Sequence, residues 1–377
     1  MIKSVTLKDF RGLDELKVPL SSATMLTGIN GVGKTSVLEG LFCLFSQSRL
    51  DVSPLSRYNK SIGFRLNQAA NIPFGFAVQQ NYNYKLFWNE CPSYGKIECS
   101  VDAVSDNGLF WSWKYKKAKL SDLDEQITIN NPIPVDALTD FALWEWRTRG
   151  KVFKAHHAQD MSEKFRRAQV LTQDGGLYLL PMSVSATSMN ICQYLDFASI
   201  RIQPQKLSFQ TAKQLTKALQ IIDSRITDVR LKDMVDGLSV IIDDNKEVSL
   251  GTIGNGAVTW ASALIAIFDV AEIIKQQQTD IPILILIDEM GAGIHYSVML
   301  DVWKFLSEFV RQNRNVQFVF TSHNDDCIRA FCEAFSNQDS AAVVRLHQTS
   351  VGKKVMPTEY KKESFRNIID GKWEVRG

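Results

Sequence analysis

Gly28-Ile29-Asn30-Gly31-Val32-Gly33-Lys34-Thr35 fills every position of the pattern G-x-x-x-x-G-K-[ST]. Its glycines let the backbone wrap tightly, so that successive N–H groups point inward at phosphate oxygens. The flanking residues supply the context such a loop needs. Before it, Ser22-Ala23-Thr24-Met25-Leu26-Thr27 reads as a short apolar strand; after it, Ser36 to Ser48 carries Val37, Leu38, Leu41, Phe42, Leu44 and Phe45 at helical spacing. The start of that helix adds a partial positive charge. Lys34 is placed to reach the β- and γ-phosphates of a nucleotide, and the Thr35 hydroxyl to ligate Mg²⁺. Asn30, Gly31, Gly33 and Ser36 complete the candidate cradle.

Two further stretches carry matching chemistry. Ile283-Leu284-Ile285-Leu286-Ile287-Asp288-Glu289 is an aliphatic run ending in two acids, the mark of a buried parallel strand with carboxylates at its C-terminal edge. Asp288 is the candidate for the magnesium shell, and Glu289 for the general base that activates a water. Val319-Phe320-Thr321-Ser322-His323-Asn324 follows one helix and one strand later. A histidine beyond the next buried strand can contact the γ-phosphate or the attacking water, which makes His323 a third catalytic candidate beside Lys34 and Glu289.

Working outward, Ile2-Lys3-Ser4-Val5-Thr6-Leu7 and Glu15-Leu16-Lys17-Val18-Pro19-Leu20 alternate as two strands around a turn at Arg11-Gly12. Residues 60–120 read as β-rich, with Trp111, Trp113 and Tyr115 alternating with Ser112, Lys114 and Lys116. Residues 121–250 suggest helices near Asp136–Arg147, Asp160–Leu171 and Thr211–Ile222. Gly251–Gly256 is a second glycine-rich loop, Trp260–Ile274 an apolar helix, and Val298–Val310 an amphipathic one. Val316–Phe320 is the next buried strand; a strand at Ala341–Leu346 and a short helix near Glu363–Ile369 follow. The expected division is therefore 1–120, a lobe with the phosphate loop and a β-rich subdomain; 121–245, a mainly helical insert; and 246–377, a lobe with the second glycine loop, the acids and the histidine. The fold class is α/β.

Composition narrows the function. The 377 residues hold 43 Lys and Arg against 41 Asp and Glu, so charge alone does not coat nucleic acid. Cys43, Cys91, Cys99, Cys192, Cys327 and Cys332 form no C-x-x-C pair, which argues against zinc and thioredoxin chemistry. The opening MIKSVTLKDF lacks the apolar core of a signal peptide, and no apolar run approaches the roughly 20 residues that cross a bilayer. The expectation is a cytoplasmic protein with no membrane partner.

Taken together, G-x-N-G-x-G-K-T-S, the IDE triplet followed by Gly293-Ile294-His295, and T-S-H after the next strand resemble the ABC-type P-loop ATPases of the RecF, SMC and OLD group. Ile2-Lys3 through Phe10-Arg11-Gly12 resembles the opening strand and turn of that group, and Trp373-Glu374-Val375-Arg376 the tail of stand-alone OLD-like ATPases. The resemblance covers 1–50 and roughly 215–377 well. It implies ATP and Mg²⁺ as cofactors and a homodimer or higher homo-oligomer that sandwiches ATP between subunits. It also places Gly254-Asn255-Gly256 as the signature loop that reaches the partner's γ-phosphate, with Gly254 where the family has serine, and Gly291–Tyr296 as the loop that crosses the interface. For the glutamine of the Q-loop, Gln79, Gln80 and Gln126 all remain open.

The same resemblance implies an ATPase and sensor subunit of a prokaryotic anti-phage defence system that controls a separate effector, a nuclease or toxin. About fifty residues follow His323, too few for the TOPRIM-type nuclease domain of full-length OLD proteins, and Asp325-Asp326, Asp339, Asp136, Asp140 and Asp160 form no paired set on buried strands. A RecF-like repair ATPase that binds DNA is the alternative. A transporter subunit fits poorly, because the signature loop lies more than 200 residues beyond the phosphate loop. Two basic-aromatic stretches, Trp111–Lys119 and Trp144 to His157, could stack on nucleic acid, but strand alternation accounts for the first. The Lys164, Arg166, Arg167 group reads as a solvated helix face.

Overall fold

A computed structural model describes residues 1–45, 98–106, 108, 110–118, 141–148, 151–158, 169–173, 176–180, 192–196, 207–231, 237–243, 246–277, 283–349 and 354–373. The chain forms two compact units, each assembled from three stretches: Met1–Pro19, Glu39–Asn190 and Gln348–Met356 in the first; Leu20–Leu38, Ile191–His347 and Pro357–Gly377 in the second.

The first unit is an antiparallel sheet of eight strands. Strands β1 (Ile2–Phe10) and β2 (Leu13–Pro19) pair around Arg11-Gly12, and β1 pairs on its other edge with β4 (Glu98–Ser105). From β4 the sheet continues as a meander through β5 (Phe110–Ala118), β6 (Phe141–Thr148), β7 (Lys151–Ala158), β8 (Gln169–Gln173) and β9 (Gly176–Leu180). Ile2, Val5, Leu7 and Phe10 are buried while Lys3 and Lys8 face water, the one-sided pattern of an antiparallel sheet. Gly40 of α1 (Lys34–Phe45) packs so closely on Leu7 and Val101 that a Cβ there would come within 2.8 Å of Leu7.

Strand β6 corrects the expected helix at Asp136–Arg147 over residues 141–147; of the expected helix at Asp160–Leu171, residues 169–171 belong to β8 and 160–168 lie outside the described residues. In 121–245, expected to be mainly helical, the regular elements among the described residues are strands apart from α2 (Phe209–Leu219). Short apolar segments rich in Trp, Phe and Val carry no decisive period, and cross-strand pairing decides them. The missed signals were local. β6 and β7 are paired up to Thr148 and Lys151, leaving Arg149-Gly150 between them, and β8 and β9 pair up to Gln173 and Gly176, leaving Asp174-Gly175. A two-residue Asp-Gly link between paired strands is a strong hairpin signature.

The second unit holds the six-stranded sheet β10-β14-β15-β3-β16-β17. Its strands β10 (Cys192–Asp196), β14 (Ile283–Asp288), β15 (Val316–Thr321), β3 (Ala23–Thr27) and β16 (Ala341–Gln348) run parallel, followed by β17 (Val355–Tyr360). β3, β14 and β15 are buried at every position, as strands covered on both faces must be. One face, with Met25, Ile285, Phe318, Phe320 and Val343, packs into a single apolar core with α4 (Asn255–Gln277), α5 (Tyr296–Gln312), α6 (Asp325–Ala334) and α7 (Lys362–Ile369). Trp303 of α5 is fully buried there, edge-on to Phe320 and Phe331 at 4.8 and 5.1 Å. A three-stranded antiparallel sheet, β11 (Ile226–Leu231), β12 (Leu238–Ile242) and β13 (Lys246–Ser249), leads into the one-turn helix α3 (Leu250–Ile253) and then α4. The fold is α/β with a parallel core sheet. Among the described residues no helix is long and apolar enough to cross a membrane.

Candidate functional site

Parallel strands end at one edge of their sheet, and β3, β14 and β15 bring the three motifs of the sequence together there. β3 runs into the glycine loop. Gly28, Gly31 and Gly33 have φ of +132°, +79° and +106°, backbone that side chains rarely adopt. Gly28 also needs the space: a Cβ on it would lie 2.3 Å from the Leu346 carbonyl oxygen of β16. Asn30 and Gly31 are exposed at the tip, and Thr35 and Ser36 are half-buried in the first turn of α1.

Lys34 is 6% exposed, and its ammonium donates to the loop's own carbonyls, to Gly28 at 2.7 Å and Ile29 at 3.0 Å. Burial pulls its pKa below the ordinary lysine value, and the nearby carboxylates of Glu289 and Asp288 only partly restore it. A desolvated cation folded back on neutral carbonyls is the state a phosphate would relieve.

Asp288 ends β14 and is 3% exposed. Its carboxylate accepts from the Thr35 hydroxyl at 3.1 and 3.3 Å and from the Thr321 hydroxyl at 2.5 Å. Thr35 Oγ1 and the Asp288 oxygens therefore stand side by side as hard oxygen donors, the kind that suit Mg²⁺. Among the described residues no three His, Cys, Asp or Glu side chains cluster as a metal cage, so an ion here would draw its other ligands from phosphate and water.

Glu289 is the one non-glycine residue in the second unit with left-handed backbone among the described residues, at φ +57°. Such strain persists only where the surroundings enforce it. Here the Glu289 N–H donates to Thr321 Oγ1 at 2.9 Å, and the next N–H, of Met290, donates to the Thr321 carbonyl at 2.8 Å. The side chain is turned out to meet His323, with Nδ1 2.7 Å from the carboxylate. Both are partly exposed, at 36% for Glu289 and 60% for His323. The histidine is anchored from behind: Ser322 Oγ donates to the Met290 carbonyl at 3.1 Å and accepts from the Asn324 N–H at 3.2 Å.

Thr321 is the residue that motif reading missed. It sits in the quoted T-S-H run, yet its role shows only in three dimensions, where one hydroxyl holds both Asp288 and the backbone of Glu289.

Gly254, Asn255 and Gly256 join a different contact. The expected continuous glycine loop at Gly251–Gly256 is instead one helical turn, closed by Thr252 Oγ1 donating to the Ser249 carbonyl at 2.6 Å, then Gly254 at φ +131°, then α4. A Cβ on Gly256 would lie 2.4 Å from the Gly293 carbonyl oxygen, so the start of α4 is packed on the Gly291–Tyr296 turn of its own chain. Asn255 is exposed beside it. His295 caps α5, accepting from the Ser297 N–H at 3.3 Å, and its ring lies 4.4 Å from that of Tyr296. Gln79, Gln80 and Gln126 lie outside the described residues.

Comparison with known proteins gives one partial family match and distant structural similarities. The model of the AAA ATPase domain family matches residues 1–134, which include the phosphate loop. A search of curated proteins found no match. Among solved structures, the chain is similar to the SMC head domain from Thermotoga maritima, at 13% identity and a TM-score of 0.40, covering 96% of this chain and 99% of that one. It is also similar to the recombination mediator protein RecF, at 7% identity and a TM-score of 0.41, covering 95% and 98%.

Proposed function

We propose that the chain binds ATP at Gly28–Ser36 and hydrolyses it slowly with Mg²⁺, as a conformational switch. The observation that carries this reading is the juxtaposition, at one sheet edge, of the buried Lys34, the Thr35–Asp288 oxygen pair and the Glu289–His323 pair. The AAA ATPase match over residues 1–134 supports the same chemistry. When bound, the ion would neutralise phosphate charge. Lys34 and the loop N–H groups bind the phosphates, Thr35 and Asp288 hold the ion, and Glu289 accepts the proton of the attacking water. His323 keeps the Glu289 carboxylate in place through its 2.7 Å contact.

The start of α4, where Asn255 is exposed next to Gly254, is the surface we assign to the ATP of a second copy. The family resemblance supports this head-to-tail dimer, and it supports an anti-phage sensor subunit acting on a separate effector. A RecF-like DNA-binding ATPase is the second reading, favoured by the same motifs.

Sedimentation of the hydrolysis-deficient Glu289→Gln variant tests the switch. With ATP and Mg²⁺ it should form a larger species than without. Adding Asn255→Asp, which places a negative charge where phosphate would dock yet suits a helix N-terminus, should abolish that shift. The same purified chain should leave plasmid DNA intact. An ATP-dependent shift that survives Asn255→Asp, or none in Glu289→Gln alone, contradicts the composite site.

A further inference from the structure

The end of β16 carries two polar side chains that the site described above does not use. Arg345 Nε and His347 Nδ1 are buried with no hydrogen-bond partner. The basic side chains of α6 and α7 are each paired with a carboxylate: Arg329 with Asp325 at 3.0 Å, Arg366 with Asp370 at 3.3 Å, and Lys362 with Asp339. Arg345 has no such carboxylate among the described residues. Arg345 is half-buried, and a buried N–H donor such as its Nε, left without a hydrogen-bond partner, is costly. The side chain is suited to an anion that arrives from outside.

The position of β16 identifies the anion. Arg345 is in register with Thr27, the last residue of β3, so the phosphate loop begins one residue beyond its partner. The Leu346 carbonyl packs directly on Gly28, the first residue of that loop. Arg345 and His347, two apart on a strand, share the face that continues from Ala341 and Val343, and both stand at the edge where the loop emerges. The strand order places β14, with Asp288 and Glu289 at its end, on one side of β3 and β16 on the other. A nucleotide with its terminal phosphates at Lys34, Thr35 and Asp288 and its nucleoside side over the β16 flank would bring its inner phosphate to the end of β16.

We infer that Arg345, assisted by His347, is a second phosphate-recognition point that holds the nucleoside-proximal phosphate of the bound nucleotide. The guanidinium presents a planar fork of N–H donors that matches two phosphate oxygens at once. Because that phosphate is common to ATP and ADP, Arg345 acts on affinity for both, whereas Lys34 and the magnesium pair also read the terminal phosphate. The inference rests on the nucleotide site proposed above.

Fluorescence titration of the full chain with N-methylanthraniloyl ADP and ATP tests it. Arg345→Met keeps the apolar stem and removes the charge. It should raise the Kd for both nucleotides roughly tenfold to hundredfold, the range for losing a hydrogen bond to a charged group. The melting temperature without nucleotide should stay equal or rise, since a buried donor without a hydrogen-bond partner has gone. Arg345→Lys, which keeps a point charge but not the fork, should fall between, and it serves as the second variant should Arg345→Met fold poorly. Wild-type affinity in Arg345→Met or Arg345→Lys, with the wild type binding normally, overturns this inference alone. A wild-type chain that binds neither nucleotide overturns both it and the site it depends on.

Discussion

A single hydroxyl at the end of β15 contacts two candidate site residues. Thr321 donates to Asp288 and accepts from the N–H of Glu289, whose backbone is left-handed. Removing it strips a donor from a buried carboxylate and leaves a buried N–H without its partner. Thr321→Val, which keeps the shape, should therefore cost about 1–3 kcal/mol in stability, read from the midpoint of urea unfolding. It should also lower turnover, because Glu289 loses the bond that fixes its strained backbone, and Thr321→Ser should restore both. An unchanged midpoint in Thr321→Val would show that the hydroxyl does not hold the strand ends together. At this scale the sequence was informative about chemistry and silent about support. Lys34, Thr35, Asp288, Glu289 and His323 could be picked out as candidates because each occupies a fixed place in a motif. Thr321 and Arg345 could not, because their surroundings depend on which strands lie side by side.

Elements built from local residues were the legible ones. The β1–β2 hairpin, β3, α1, β14, α5, β15, β16 and α7 all lie where periodicity placed them, since a buried parallel strand or an amphipathic helix writes its own period into the chain. The meander from β5 to β9 was obscured because its backbone bonds are made to partners across the sheet, and the strands are stabilised by pairing rather than by pattern. The start of α4 holds a further lesson. Glycine at 256 reads as a loop residue that approaches phosphate, yet the structure shows it approaching the Gly293 carbonyl of its own chain. Gly256→Ala should then destabilise the unliganded protein by about 1–3 kcal/mol, because the new Cβ meets backbone that must shift. Thermal unfolding without nucleotide reads this directly, and a melting temperature equal to wild type would mean the α4–Gly293 packing is loose. Asn255, exposed and one residue earlier, is the cleaner probe of an intermolecular role.

Across the whole molecule, the chain passes between its two compact units within α1, at Leu38–Glu39, only a few residues beyond the phosphate loop. Composition shows no break there, because a helix that serves two units needs no linker. The first turn of α1 carries Lys34 and Thr35; further along, the buried Glu39 meets Arg11 of the β1–β2 turn at 3.3 Å in the first unit. One helix thus carries the candidate phosphate-binding residues in its first turn and, further along, packs on the antiparallel sheet of the first unit. The account stands or falls on whether Glu289 acts as the base while Lys34 holds the phosphates. The direct measurement is the nucleotide retained after incubation with ATP and Mg²⁺ and rapid gel filtration, identified by chromatography of the acid-quenched protein. The account predicts ADP or empty protein for the wild type, intact ATP at close to one per chain for Glu289→Gln, and no nucleotide for Lys34→Ala. ADP formed by Glu289→Gln at the wild-type rate, or ATP retained by Lys34→Ala, would contradict it.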